Sequence, residues 1–123
     1  MSALPASRAG RDARRGLAIA AQAATTGDRE CFYTAVSRTM QEYLAAKLGL
    51  PPGAIDADAV RRSGASADAT DRIATFFATC EQVRFAPGAA DGDMRGTLAL
   101  AQEIIKRLER EQRRQRAEPV AAA

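Results

Sequence analysis

DRECFYTAVSRTMQEYLAAKLG, residues Asp28 to Gly49, is the stretch against which the rest of this chain reads most clearly. Asp28 is an N-cap residue type, with a carboxylate that can accept the unpaired backbone N–H groups of a first helical turn. Gly49 can take the left-handed conformation that closes a helix, and Pro51 and Pro52 forbid its continuation. Between these signals Phe32, Val36, Met40, Tyr43, Leu44 and Leu48 recur at steps of three and four. That spacing makes one apolar stripe on an amphipathic helix. Arg29, Arg38, Gln41, Glu42 and Lys47 fall mainly on other faces.

Working outward toward the N-terminus, Thr25-Thr26-Gly27 ends an earlier helix that begins at about Asp12 and turns Leu17, Ala20, Ala21 and Ala24 inward. Two helices joined by so short a corner pack as an antiparallel hairpin, and the small alanine face permits close approach. Residues 1–11, rich in Ala, Ser, Gly and Arg, are read as disordered. Toward the C-terminus, Asp56 caps a short helix that carries Val60 and ends at Ser63-Gly64. Ser66 caps the next, whose stripe is Ile73, Phe76, Phe77, Cys80 and Val83, with an end at Ala86-Pro87-Gly88. Asp91 or Asp93 caps a last helix bearing Met94, Leu98, Ala101, Ile105 and Leu108. With alanine abundant and no period-2 alternation, the expectation is an all-α bundle of four to five helices over residues 12–110. Phe32, Tyr43, Phe76, Phe77, Ile105 and Leu108 belong to its core. Residues 111–123 are read as a polar helix extension and a disordered tail.

The net charge of +3 sits at the ends, since residues 1–16 and 106–118 each carry +3 while the intervening chain carries −3. An acidic middle argues against a phosphate-binding face on the folded domain. The chain has no histidine, which removes the commonest general base and metal ligand. Cys31 and Cys80 are too few for a zinc site and are read as small buried thiols. DGDMRG, residues 91–96, has Asp at the first and third positions of a calcium loop. Arg95 at the fifth and Gln102 at the twelfth break the pattern, and capping explains the aspartates. No phosphate-cradling glycine motif occurs, so neither enzymatic activity nor a cofactor is expected. The chain has no signal-peptide h-region and no apolar run of membrane-spanning length, so a cytoplasmic location is expected.

The basic helix end REQRRQR, residues 110–116, raises nucleic-acid binding as the alternative function. Glu111 interrupts the run, Glu109 can pair with Arg113 four residues on, and no aromatic residue is interleaved for base stacking. A solvated, salt-bridged helix end is the preferred reading. The N-terminal arginines also fit the cytoplasmic side of a membrane span in a longer form.

Three blocks together carry a family resemblance: CFYTAVSRTMQEYLAAKLGLPPGAI at 31–55, TCEQVRFAPG at 79–88 and AQEIIKRLE at 101–109. They resemble the C-terminal cytoplasmic domain of the BatD (Bacteroides aerotolerance) family, over about residues 14–110. The specific parts are Phe32-Tyr33, Tyr43-Leu44 before Leu48-Gly49-Leu50, and Cys80 with Arg84-Phe85-Ala86. The resemblance implies a non-catalytic protein-interaction module linked to MoxR-type AAA+ ATPases and von Willebrand factor A proteins in envelope stress tolerance or complex assembly. The family's periplasmic sandwiches and membrane helix have no counterpart here, so a fragment or a free-standing relative is expected. VRRSGASADA is several residues shorter than the family's corresponding helix, which puts the short third helix in question. Partner contacts are expected at exposed residues flanking the blocks: Arg38, Glu42, Glu81 and Arg84.

Overall fold

The caps foreseen at Asp28, Asp56 and Ser66 set the starts of three helices in the computed structural model. It describes residues 7–51, 53, 55–85 and 94–117, with the side chains of 57, 84, 85 and 112–117 left out of that description. Among the described residues five α-helices follow one another: α1 Arg8–Thr26, α2 Arg29–Leu48, α3 Ala57–Arg62, α4 Ala67–Phe85 and α5 Met94–Ala117. No strand occurs among the described residues. The Asp28 carboxylate accepts the Cys31 N–H at 3.1 Å and that of Asp56 accepts the Ala59 N–H at 2.8 Å. The Ser66 hydroxyl accepts the Ala69 N–H at 3.1 Å. At the α1–α2 corner Gly27 adopts φ 77°, so Asp28 N–H reaches Ala23 O at 2.9 Å and Gly27 N–H reaches Ala24 O at 3.2 Å. This is the Schellman closure, which a residue with a Cβ would strain.

Helices α1 and α2 form the expected hairpin, which is the most extensive interface of the bundle. α5 packs against α1, α2 and α4, while the short α3 covers α4 and adds the buried Val60. The largest fully buried side chains include Phe32, Val36, Met40, Leu44, Ile73, Phe76 and Ile104. These are stripe positions of α2 and α4, joined by Ile104 of α5. Phe77, expected in the core, is half-buried and packs on its margin, edge-on to Phe76 with ring centroids 5.1 Å apart. Polar pairs fix the α4–α5 register. Arg107 meets Asp68 at 2.7 Å, and the Ser66 hydroxyl donates to Glu111 at 3.0 Å.

Two expectations are corrected. The first helix begins at Arg8, not at Asp12, so residues 8–11 belong to the fold rather than to a disordered end. The reason is Ser7, an N-cap whose hydroxyl accepts the Gly10 N–H at 2.9 Å. On the inner face of α1, Ala23 is buried where Ala21 and Ala24 are intermediate, and Gly10 and Ala13 extend the buried row toward the N-terminus. The third helix forms despite its short sequence. The helix end at 86–88, the caps at Asp91 and Asp93, and the tail from Glu118 lie outside the described residues.

Small residues set the distance between α1 and α2. A Cβ at Gly16 would fall within the side chain of Thr39, with Thr39 Cγ2 at 2.8 Å and Cβ at 3.0 Å. Because the clash involves Cβ of a buried residue, a rotamer change does not relieve it. In an isolated helix Gly→Ala gains about 1 kcal/mol. Here Gly16→Ala is expected to destabilise the protein by ~1–3 kcal/mol, because overpacking outweighs propensity. The urea unfolding midpoint measures it, and a raised midpoint would refute the close approach.

Candidate functional site

Glu109 is the most constrained charged side chain described. It lies one position beyond Leu108 on α5, and its carboxylate sits between the start of α1 and the end of α2. The Lys47 ammonium reaches Oε2 at 2.7 Å, with both side chains more than 90% buried. The Tyr43 hydroxyl donates to the same oxygen at 2.8 Å. The Ser7 hydroxyl lies 3.0 Å from each carboxylate oxygen, and the Ser7 N–H donates to Oε1 at 3.3 Å. Gly10 makes room, since a Cβ there would stand 2.9 Å from Oε1.

Burial by itself would raise the Glu109 pKa. Its bonds from Lys47, Tyr43 and then Ser7 more than offset this and lower it to about 2. Burial, followed by the bond to Glu109 and its charge, moves Tyr43 upward, away from neutrality. A carboxylate so acidic is a weak base, and a phenol so raised is a weak acid. The cluster is therefore built to hold three helices rather than to move protons at neutral pH. Glu109, expected on a solvated helix end, is buried and pairs with Lys47 across helices, while the side chain of Arg113, its expected partner, lies outside the described residues.

A second feature lies on the opposite rim of the hairpin. Between α1 and α2 runs an open groove of about 600 Å³, lined by residues including Gly16, Ile19, Cys31, Ala35, Arg38 and Glu42. Ile19, 61% exposed, is the large apolar side chain that stands out in water among the described residues. Arg38 and Glu42, two of the expected partner contacts, both line this groove and pair with each other at 3.2 Å. Glu81 is exposed on α4, outside the groove. Arg84 falls in the last turn of α4, and its side chain lies outside the described residues. Cys31, expected to be buried, is exposed on the groove. It stands one residue off the stripe that begins at Phe32, which turns it about 100° away from the core.

Sequence reasoning missed Ile19, Ser7 and the Lys47–Glu109 pair. A signal existed for the pair. Lys47 and Glu109 each adjoin the last apolar residues of their stripes, Leu48 and Leu108, at positions that border the core.

The structure generates two predictions here. Glu109→Gln removes a buried charge while leaving Lys47 enclosed, so a loss of about 3–5 kcal/mol is expected from denaturant unfolding. Because the folded pKa lies below the ordinary 4.5, the ionised form stabilises the fold above pH 4.5. That share is lost as the pH falls from there through about 2. The stability difference between wild type and Glu109→Gln should therefore shrink over this window, and a constant difference would contradict the assignment. The thiols should also separate. Burial pushes Cys80 up to about 11, while Cys31 is exposed. A disulfide reagent at neutral pH should titrate one thiol per chain rapidly and the second only on unfolding. Equal fast reaction of both would count against the half-buried position of Cys80.

Set against family models, curated proteins and solved structures, the chain matches none.

Proposed function

We propose that this chain is a non-catalytic protein-interaction module that docks a partner on the α1–α2 face. The observation that carries the reading is the groove itself, where an exposed isoleucine stands beside an open channel floored by small residues and edged by the Arg38–Glu42 pair. An exposed apolar side chain beside a concave surface, rimmed by charge, is the anatomy of a protein contact. The buried charges of Lys47 and Glu109 are committed to the bundle, which leaves the surface charges to select the partner. The partner class comes from the resemblance of the three sequence blocks to the BatD cytoplasmic domain. It is a MoxR-type AAA+ ATPase or a von Willebrand factor A protein, met at the cytoplasmic face of a membrane where a longer form is tethered. Among the described residues no helix is long and apolar enough to cross a membrane.

The test is calorimetric titration of the purified chain with the MoxR-type ATPase and the von Willebrand factor A proteins of its own genome. Binding weakened about tenfold or more by Arg38→Glu, with helicity unchanged, is expected, since reversing a rim charge introduces like-charge repulsion. Binding indifferent to Arg38 and Glu42 would remove the proposed face. The nucleic-acid alternative needs a cleaner probe than removal of residues 106–118, because that deletion takes away buried Leu108 and Glu109. Neutralising Arg113, Arg114 and Arg116 removes the charge while keeping Leu108 and Glu109 in the chain. DNA retention with steep salt dependence, lost on that change, would favour the alternative.

A further inference from the structure

We propose that the α1–α2 groove also seats a second copy of this chain, with two copies pairing antiparallel about a two-fold axis near Thr34. The inference rests on the reading of the groove as a protein-docking face and adds an occupant to it.

The argument is the order of charges on α2. Glu30, Thr34 and Arg38 are all exposed, all line the groove and are spaced four residues apart. Four residues span ~6 Å, so acid and base stand at equal distances on either side of a small polar residue. A two-fold axis at Thr34 places Glu30 of one copy opposite Arg38 of the other, and an isologous interface makes that contact twice. A parallel pairing in register would set like charge on like. The pattern is thus complementary to itself in one orientation alone.

The groove supplies the rest. Thr34 and Ala35 at the axis are small, so two α2 surfaces can approach closely. Arg38 Nε is bonded to Glu42 at 3.2 Å, and a guanidinium carries five donors in a fork, so a second carboxylate can be met along its other edge. Ile19 stands on the α1 rim of the same groove. In the two-fold pair each Ile19 is covered by the other copy, which removes from water the one large apolar side chain that the described surface leaves exposed. Two isoleucines and two ion pairs make a small interface, so the dimer is a weak one in exchange with monomer. A partner protein binding the same face then competes with self-association.

The test uses the full chain in sedimentation velocity over protein concentrations up to ~1 mM. A concentration-dependent monomer–dimer equilibrium is expected, with Ile19→Glu monomeric throughout and its helicity unchanged. Glu30→Arg and Arg38→Glu should each weaken self-association about tenfold, because both symmetric pairs are lost and replaced by repulsion. The decisive arm is mixing. The Glu30→Arg chain and the Arg38→Glu chain, each weakened alone, should form a one-to-one dimer together about as readily as the wild type does, since each supplies the charge that the other needs. A wild type monomeric up to ~1 mM, or single variants that fail to recover each other, would overturn the proposal. Partner binding lost on Arg38→Glu in a chain that never self-associates would leave the docking face standing and remove the second copy alone.

Discussion

The ion pair between Lys47 and Glu109 is the constraint on which the placement of α1, α2 and α5 depends. A charge pair taken out of water gains nothing unless further hydrogen bonds occupy the remaining lone pairs. Here the Tyr43 hydroxyl and the two donors of Ser7 occupy them, so the carboxylate is surrounded by donors from two other segments. Apolar packing alone would fix this arrangement poorly. The inner face of α1 is mostly alanine, and an alanine row displaced by one turn presents nearly the same surface. Directional bonds at Ser7 and the close approach at Gly10 are not equivalent after such a slip. The network therefore discriminates between registers that the hydrophobic contact barely separates.

This also explains which parts of the fold were legible in the sequence. Helix α2 could be read in full because its stripe, its Asp28 cap and its Gly49 closure agree with one another. The caps at Asp56 and Ser66 are local, each bonding the residue three ahead, so they too are visible in one dimension. The start of α1 was hidden. Ser7 lies within a stretch whose composition resembles a disordered end, and its capping bond is supplemented by Glu109, 102 residues away. Glu109 was misread for the complementary reason. Within its own helix it has Arg113 at ideal spacing, and nothing local reveals that α2 brings Lys47 to the same place. Side chains whose environment comes from other segments carry only faint sequence signals.

The candidate docking face was half legible. Arg38 and Glu42 could be chosen because they are charged positions on the polar side of a well-defined helix. Glu81, chosen by the same rule, stands exposed on α4 outside that groove. Polarity identifies what faces water but not where the surface is hollow. Ile19 went unnoticed because a single isoleucine on an alanine-rich helix does not define a stripe, and its exposure follows from how α1 is rotated.

That rotation follows from the packing on the other side. Gly10 and Gly16 must face inward, Gly10 to admit the Glu109 carboxylate and Gly16 to admit Thr39. Turning α1 to satisfy both leaves Ile19, three residues beyond Gly16, on the rim of the interface instead of within it. The close fit at Gly16 and Thr39 draws the helices together where the side chains are smallest. Toward Ala35 and Thr34, short side chains from α2 then fail to fill the space beside the bulkier isoleucine. The groove and the exposed apolar residue thus share one cause. A bundle that fixes its register through small residues and a buried carboxylate has no internal place for Ile19, which is why the face proposed for docking is the one left unfilled.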